Sequence, residues 1–204
     1  MQEILPGLFH WTAIHPRIQI AVSSYYVQEP GVLLDPLVPA EGLDWFRARV
    51  EPRDIILTNR HHYRHCAQFE EAFGCTVWCN VEGMHEFTRG EQVKPFTVGD
   101  LLPGQIESQE VGVLCPDETA LHIPIEEGAL AIADGIVRDG DGPLTFVPDE
   151  LLGDEPEAVR RGLDAAYTRL LDLEFDHLLF AHGRPWIGGA KQVLRRFVES
   201  RRVR

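Results

Sequence analysis

Three histidines and two arginines fall within the six positions Arg60-His61-His62-Tyr63-Arg64-His65, directly after the apolar run Ile55-Ile56-Leu57-Thr58. A strand that ends in such a cluster is a way for an α/β chain to build a site, because the rigid strand fixes where the side chains point. The imidazoles suit a metal, whereas the interleaved guanidiniums suit an anion. Two more polar loops follow predicted strands: Asp134-Gly135, and His182-Gly183-Arg184. Convergence of His62, His65, Asp134 and His182 would give three imidazoles and a carboxylate, a donor set suited to zinc, iron or manganese. The same loops allow a metal-free alternative. Arg60, Arg64 and Arg184, with partly protonated imidazoles, could bind a carboxylate or phosphate in forked geometry. Trp186 stands beside them, to line a pocket or simply to pack.

For these loops to meet, their strands must end on one side of a layered fold. Apolar patterning predicts strands over residues 18–27 and 32–34 around a Glu29-Pro30-Gly31 turn, the second stopping at Asp35-Pro36. Helical spacing of Leu43, Phe46 and Val50 predicts a surface helix over 40–50. A buried strand over 54–57, a helix over 66–73 closed by Gly74, a strand over 76–79 and a short helix near 81–87 follow. Further strands are expected at 106–113, 119–123 and 129–133, with a turn-rich segment over 135–155. The last third reads as a helix over 156–173, with Pro156 in its first turn, a strand over 177–180 and a final helix from about Gly189. Strands occur in both halves, so one mixed α/β domain over residues 1–204 is expected.

At 204 residues the chain can bury a core without disulfides. A net charge of −13 argues against nucleic-acid or anionic-membrane partners, since phosphate recognition needs a basic surface. Lys94 and Lys191 are the only lysines, so arginine carries nearly all the positive charge. Cys66, Cys75, Cys79 and Cys115 show no CxxC spacing, and Cys75 and Cys79 read as small apolar fillers near one strand. The N-terminus has no basic segment leading into an apolar run, and no stretch approaches the ~18 apolar residues of a membrane span. The expectation is a cytoplasmic protein with reduced thiols, with homo-oligomerisation left open.

Five fragments, in order, resemble the metallo-β-lactamase-fold superfamily over nearly the whole chain. Leu33-Leu34-Asp35-Pro36 resembles the family's first strand motif, which ends in a structural Asp. The strand and Thr58 precede a cluster similar to HxHxDH, and Gly99-Asp100-Leu101-Leu102-Pro103-Gly104 resembles a characteristic turn. Residues 129–134 resemble the strand that delivers a metal-bridging Asp, and Phe180-Ala181-His182-Gly183 the strand that delivers the last His. The resemblance implies a four-layer αβ/βα sandwich of two mixed sheets flanked by helices. It also implies a hydrolase acting on an ester, thioester, amide or phosphodiester through metal-activated water.

Set on that pattern, the cluster departs from it. Aligning His65 with the last His of the motif places His62 on the second, Arg60 on the first and Arg64 on the Asp. Counting from Thr58 shifts the register by one and brings in His61 instead. Leu114, in Val113-Leu114-Cys115-Pro116, stands where a further His belongs. What remains is at most a mononuclear site, with His65, Asp134 and His182 as ligands and His62 as a fourth ligand or general base. Arg64 would orient an anionic substrate. A guanidinium about 4 Å from a divalent ion is repelled by roughly 8 kcal/mol at an effective dielectric of about 20. Metal binding therefore requires Arg64 to turn away or to be paired. The competing reading is a metal-free, non-catalytic member of the fold that binds an anionic small molecule or a protein partner. His10, His15, His85, His122 and His177 are isolated and read as structural or exposed. Asp35, between a strand and a proline, reads as a hydrogen-bonded turn carboxylate.

Overall fold

The computed structural model describes residues 1–201. A seven-stranded sheet runs in sequence order through β1 (Gln2–Leu5), β2 (Leu8–Ile14), β3 (Ala21–Val27), β4 (Val32–Leu34), β5 (Asp54–Ile56), β6 (Thr76–Asn80) and β7 (Val93–Phe96). The first four strands are antiparallel, and β4 to β7 are parallel. The second sheet is built from β8 (Leu101–Leu102), β9 (Ile106–Glu110), β10 (Thr119–Ile123), β11 (Ala129–Ile132), β14 (His177–Phe180) and β15 (Trp186–Ile187), with β11 and β14 parallel. A separate hairpin, β12 (Ile136–Arg138) with β13 (Leu144–Phe146), occupies the turn-rich segment.

The pleat assigns the layers, because successive strand residues face opposite sides. Tyr25, Val27, Val32, Leu34 and Ile56 of the first sheet meet Leu121, Ala129, Ala131 and Leu179 of the second in a shared core. Their neighbours point outward. Tyr26, Leu33 and Ile55 pack on α1 (Asp44–Arg47) and α2 (Cys66–Phe73) through Phe46 and Phe69. Leu130, Ile132, Leu178 and Phe180 pack on α3 (Pro156–Leu170) and α4 (Ala190–Arg201) through Leu163, Tyr167, Leu194 and Val198. The result is the expected four-layer sandwich. Both sheets are apolar on both faces, as sheets covered by helices must be.

Several elements differ from expectation. The helix over 40–50 is a single turn, with Gly42 at positive φ just before it and Pro52 just after. The hairpin β1–β2 was not signalled by alternation, because Leu8, Phe9, His10 and Trp11 are all buried. The segment expected as strand over 18–27 starts at Ala21, since Ile18 and Gln19 lie in the turn between β2 and β3, where Gln19 takes positive φ. Among the described residues, no helix is long and apolar enough to cross a membrane.

Candidate metal centre

Three strand ends deliver the site. After β5 the chain turns through a short 3-10 segment (Arg60–Tyr63), started by Asn59, whose side chain accepts the His61 N–H at 2.9 Å. This turn presents His62 inward. Asp134 follows β11, and His182 follows β14, the parallel neighbour of β11. His62 Nε2 lies 3.3 Å and His182 Nε2 3.1 Å from the same oxygen, Asp134 Oδ1. The three donor atoms lie within 4.8 Å of one another. Metal–ligand bonds of about 2.0–2.1 Å in a tetrahedron put neighbouring ligand atoms about 3.3 Å apart. Both measured edges match that spacing. Asp134 Oδ1 is buried and, despite the short distances, neither imidazole meets hydrogen-bond geometry toward it. The same spacing suits a shared metal ion and a His–Asp ion pair.

Behind these donors lies a supporting shell. His62 Nδ1 is 3.0 Å from Asp35 Oδ2, and Asp35 in turn accepts from the Thr58 N–H at 2.9 Å and the Thr58 hydroxyl at 2.5 Å. A carboxylate on the far nitrogen fixes the ring and its tautomer, leaving Nε2 for a metal. Asp35 is thus the hydrogen-bonded turn carboxylate expected from its sequence context. Burial and the charge of Arg64 oppose protonation of His62, but Asp134 and Asp35 outweigh them and raise its pKa to about 9. Burial likewise works against ionising Asp134, yet His62 and then His182 hold its carboxyl well below the usual range.

Arg64 is fixed by main-chain contacts, while its charge still acts on His62. It adopts a positive φ of 43°, a conformation costly for a residue with a side chain. Its guanidinium donates to the main-chain carbonyls of Ser23 at 2.8 Å and Asp35 at 2.7 Å. Arg60 is committed as well. Its N–H donates to Asp117 Oδ2 at 2.6 Å, and its guanidinium pairs with Asp117 Oδ1.

The other residues expected at the site are placed as follows. His65 is not in the converging set and does not line the cleft over it, because its Nδ1 accepts the Val38 N–H at 3.1 Å. His61 lines the cleft, and His62 rather than His61 is the histidine of this turn in the converging set. Arg184 is exposed in a different groove and pairs with Asp141. Trp186 packs against the core under the second sheet, with the Arg138 guanidinium 4.3 Å over its ring. His15 and His85 line the cleft, outside the ligand set.

Residues not singled out in the sequence complete the site. Asn59 Nδ2 donates to Cys115 Sγ at 3.0 Å and to Asp134 Oδ2 at 3.4 Å, dividing the two carboxylate oxygens between an amide and the imidazoles. Glu118 is fully buried behind Asp134, with its oxygens accepting the Gly135 N–H at 2.9 Å and the Leu114 N–H at 3.3 Å. Burial, reinforced by Asp134, pushes its pKa up to about 7. Asn59 could have been found as a cap residue before a turn. Glu118 carries no such signal, since an acid beside Pro116 and Asp117 reads as solvated loop.

No protein-family model matches the sequence, and no curated protein gives a significant match to it. Solved structures are similar in shape. A metallo-β-lactamase family protein from Thermus thermophilus superposes with a TM-score of 0.69 at 17% identity, covering 98% of this chain and 81% of that one. A protein solved in a di-iron-bound form gives 0.68 at 20% identity, covering 91% and 97%. The flavodiiron protein from Giardia intestinalis gives 0.64 at 14% identity, covering 98% of this chain and 59% of that one. The chain has the metallo-β-lactamase fold. On that fold it carries one His–Asp–His donor set, with Asn59, an Arg60–Asp117 pair and Cys115 beside it.

Proposed function

We propose that this chain is a metal-dependent hydrolase with a mononuclear centre held by His62, Asp134 and His182, acting on an ester, thioester, amide or phosphodiester bond in a small anionic substrate. The observation that carries this reading is the meeting of two imidazole nitrogens on one buried carboxylate oxygen at tetrahedral ligand spacing. When bound, a zinc, iron or manganese ion would supply a water acidic enough to ionise near neutral pH. Three protein ligands leave a position open for that water. The chain's own residues then hold the geometry. Asp35 orients His62, Asn59 holds the outer oxygen of Asp134, and Arg64 is tied to two carbonyls. His62 has both ring nitrogens engaged, which favours a ligand over a free general base.

A second reading is a metal-free binder of anions. It is favoured by the contact chain Asp35–His62–Asp134–His182, which pairs two carboxylates with two imidazoles. Elemental analysis decides between the two. The hydrolase reading expects one metal per chain after supply of zinc, iron(II) or manganese, lost in His182→Ala, with hydrolysis of model esters and phosphodiesters tracking occupancy. Absence of metal from the supplied wild type would leave the binder.

A further inference from the structure

The donor set lies at the floor of a cleft of about 650 Å³, whose walls come from the β2–β3 turn, the Arg60–Arg64 turn and the loop through Arg89. Four arginines line it, Arg17, Arg60, Arg64 and Arg89, against three carboxylates, Glu86, Glu91 and Asp134. In a chain with net charge −13 this is a local concentration of guanidinium groups, with Asp117 and Asp35 behind the lining paired to Arg60 and His62. A cleft walled by low-dielectric protein concentrates such a field on whatever enters.

The four arginines are not equivalent. Arg60 is held by buried Asp117, and Arg64 by two main-chain carbonyls. A guanidinium spent on internal partners has few donors left for a ligand. Arg17 and Arg89, by contrast, are exposed, and among the described residues neither side chain has a hydrogen-bond or ion-pair partner. Only their main-chain N–H groups are engaged, with His15 Nδ1 and Glu91 Oε2 respectively. Glu91 therefore caps the backbone at Arg89 without neutralising its guanidinium.

We infer that Arg17 and Arg89, exposed residues lining the cleft, form an anion subsite that binds a compact oxyanion group of the substrate, carboxylate or phosphate, away from the bond to be broken. The inference rests on the proposed hydrolase reading for its substrate, but not for its chemistry, since the two arginines act without a metal. Planar guanidinium forks match both oxyanions. Exposed ion pairs between mobile side chains are worth little. The subsite gains from the cleft field and from reaching the ligand out of two separate loops.

The test uses full-length protein stripped of metal by chelator, titrated calorimetrically with phenyl phosphate and, separately, with benzoate. These probes share a ring and differ in the anion, so their relative affinities identify which oxyanion is preferred. Binding of at least one probe is expected, weakened about tenfold by Arg17→Ala and again by Arg89→Ala, about 1.4 kcal/mol each. Lysine at either position should restore part of the loss, and added salt should weaken wild-type binding. Arg184→Ala, outside the cleft, should leave affinity unchanged. Failure of both probes to bind wild type, or equal binding by the Arg17→Ala/Arg89→Ala double variant, would overturn the subsite. Because metal is absent throughout, such a failure is separate from failure of the hydrolase reading, which metal content decides.

Discussion

His10 sits behind the loop that carries His182. Its Nε2 lies 3.0 Å from the Ser23 hydroxyl, which donates to the Gly183 carbonyl at 2.7 Å. Burial, and then the charge of Arg184, lower the pKa of His10 to about 4. An unfolded histidine titrates at about 6.5, so the native state resists a proton that the unfolded chain accepts. The stability this represents is complete above pH 6.5 and is lost as pH falls through about 4. The whole effect is of order 3 kcal/mol, by the free-energy equivalent of a pKa shift. Urea denaturation between pH 7 and 4 should show wild type losing stability faster than His10→Gln. Parallel curves for the two proteins would remove His10 from the account. Sequence reading placed His10 among the isolated, structural histidines. It could not show the relay through Ser23, a neighbour on the adjacent strand, to the Gly183 carbonyl, because that last contact leaves the first sheet. Asp35 as the support of His62 was hidden by a different limit, since the two follow adjacent parallel strands but lie 27 positions apart.

Elements deliver the donors, and their ends were the most legible part of the chain. The runs of β5, β11 and β14 are short, largely buried and each followed, one apolar residue later, by a polar one, so the sequence marks where each strand stops. Less legible was which turn residue faces inward. His61, His62 and His65 have the same chemistry, and only the 3-10 geometry and the Val38 contact separate them. The segment expected as loop after Asp134 proved to contain the hairpin β12–β13, whose first strand receives the chain just beyond β14. There the Arg138 N–H donates to the His182 carbonyl at 3.1 Å. This crossing explains the glycine after His182. Gly183 has a φ of +115°, and a methyl on its Cα would collide with the Arg138 carbonyl. Gly183→Ala should therefore combine backbone strain with overpacking and cost about 3 kcal/mol. Because the clash must move either β12 or His182, metal uptake should fall with it. Unchanged unfolding midpoint and metal content in this variant would show that the crossing is softer than its geometry implies.

Across the whole molecule, the site depends on the two sheets holding a fixed relation, since His62 comes from the first and Asp134 and His182 from the second. Apolar packing alone is non-directional. Direction comes from β3 crossing to β14. The Ser23 N–H donates to the Ala181 carbonyl at 2.9 Å. The Tyr25 hydroxyl accepts the Phe180 N–H and donates to the Phe180 carbonyl, both at 2.9 Å. Tyr25 is thus an inward-facing core residue whose one polar atom serves both main-chain groups of a strand in the opposite sheet. From sequence it was only one aromatic within a predicted strand. Tyr25→Phe keeps the ring and removes the hydroxyl, leaving a buried donor and a buried acceptor without partners. That should cost about 2–4 kcal/mol, since each buried group left unsatisfied carries about 1–3. Phe180 is two residues before His182, so the loss should also loosen one ligand against the other two. The expected outcome is a lower urea midpoint for metal-free Tyr25→Phe and a weaker zinc affinity, by about tenfold if the change resembles loss of a ligand's supporting contact. A variant with lowered stability but wild-type zinc affinity would mean that Tyr25 holds the sheets together without setting the donor geometry.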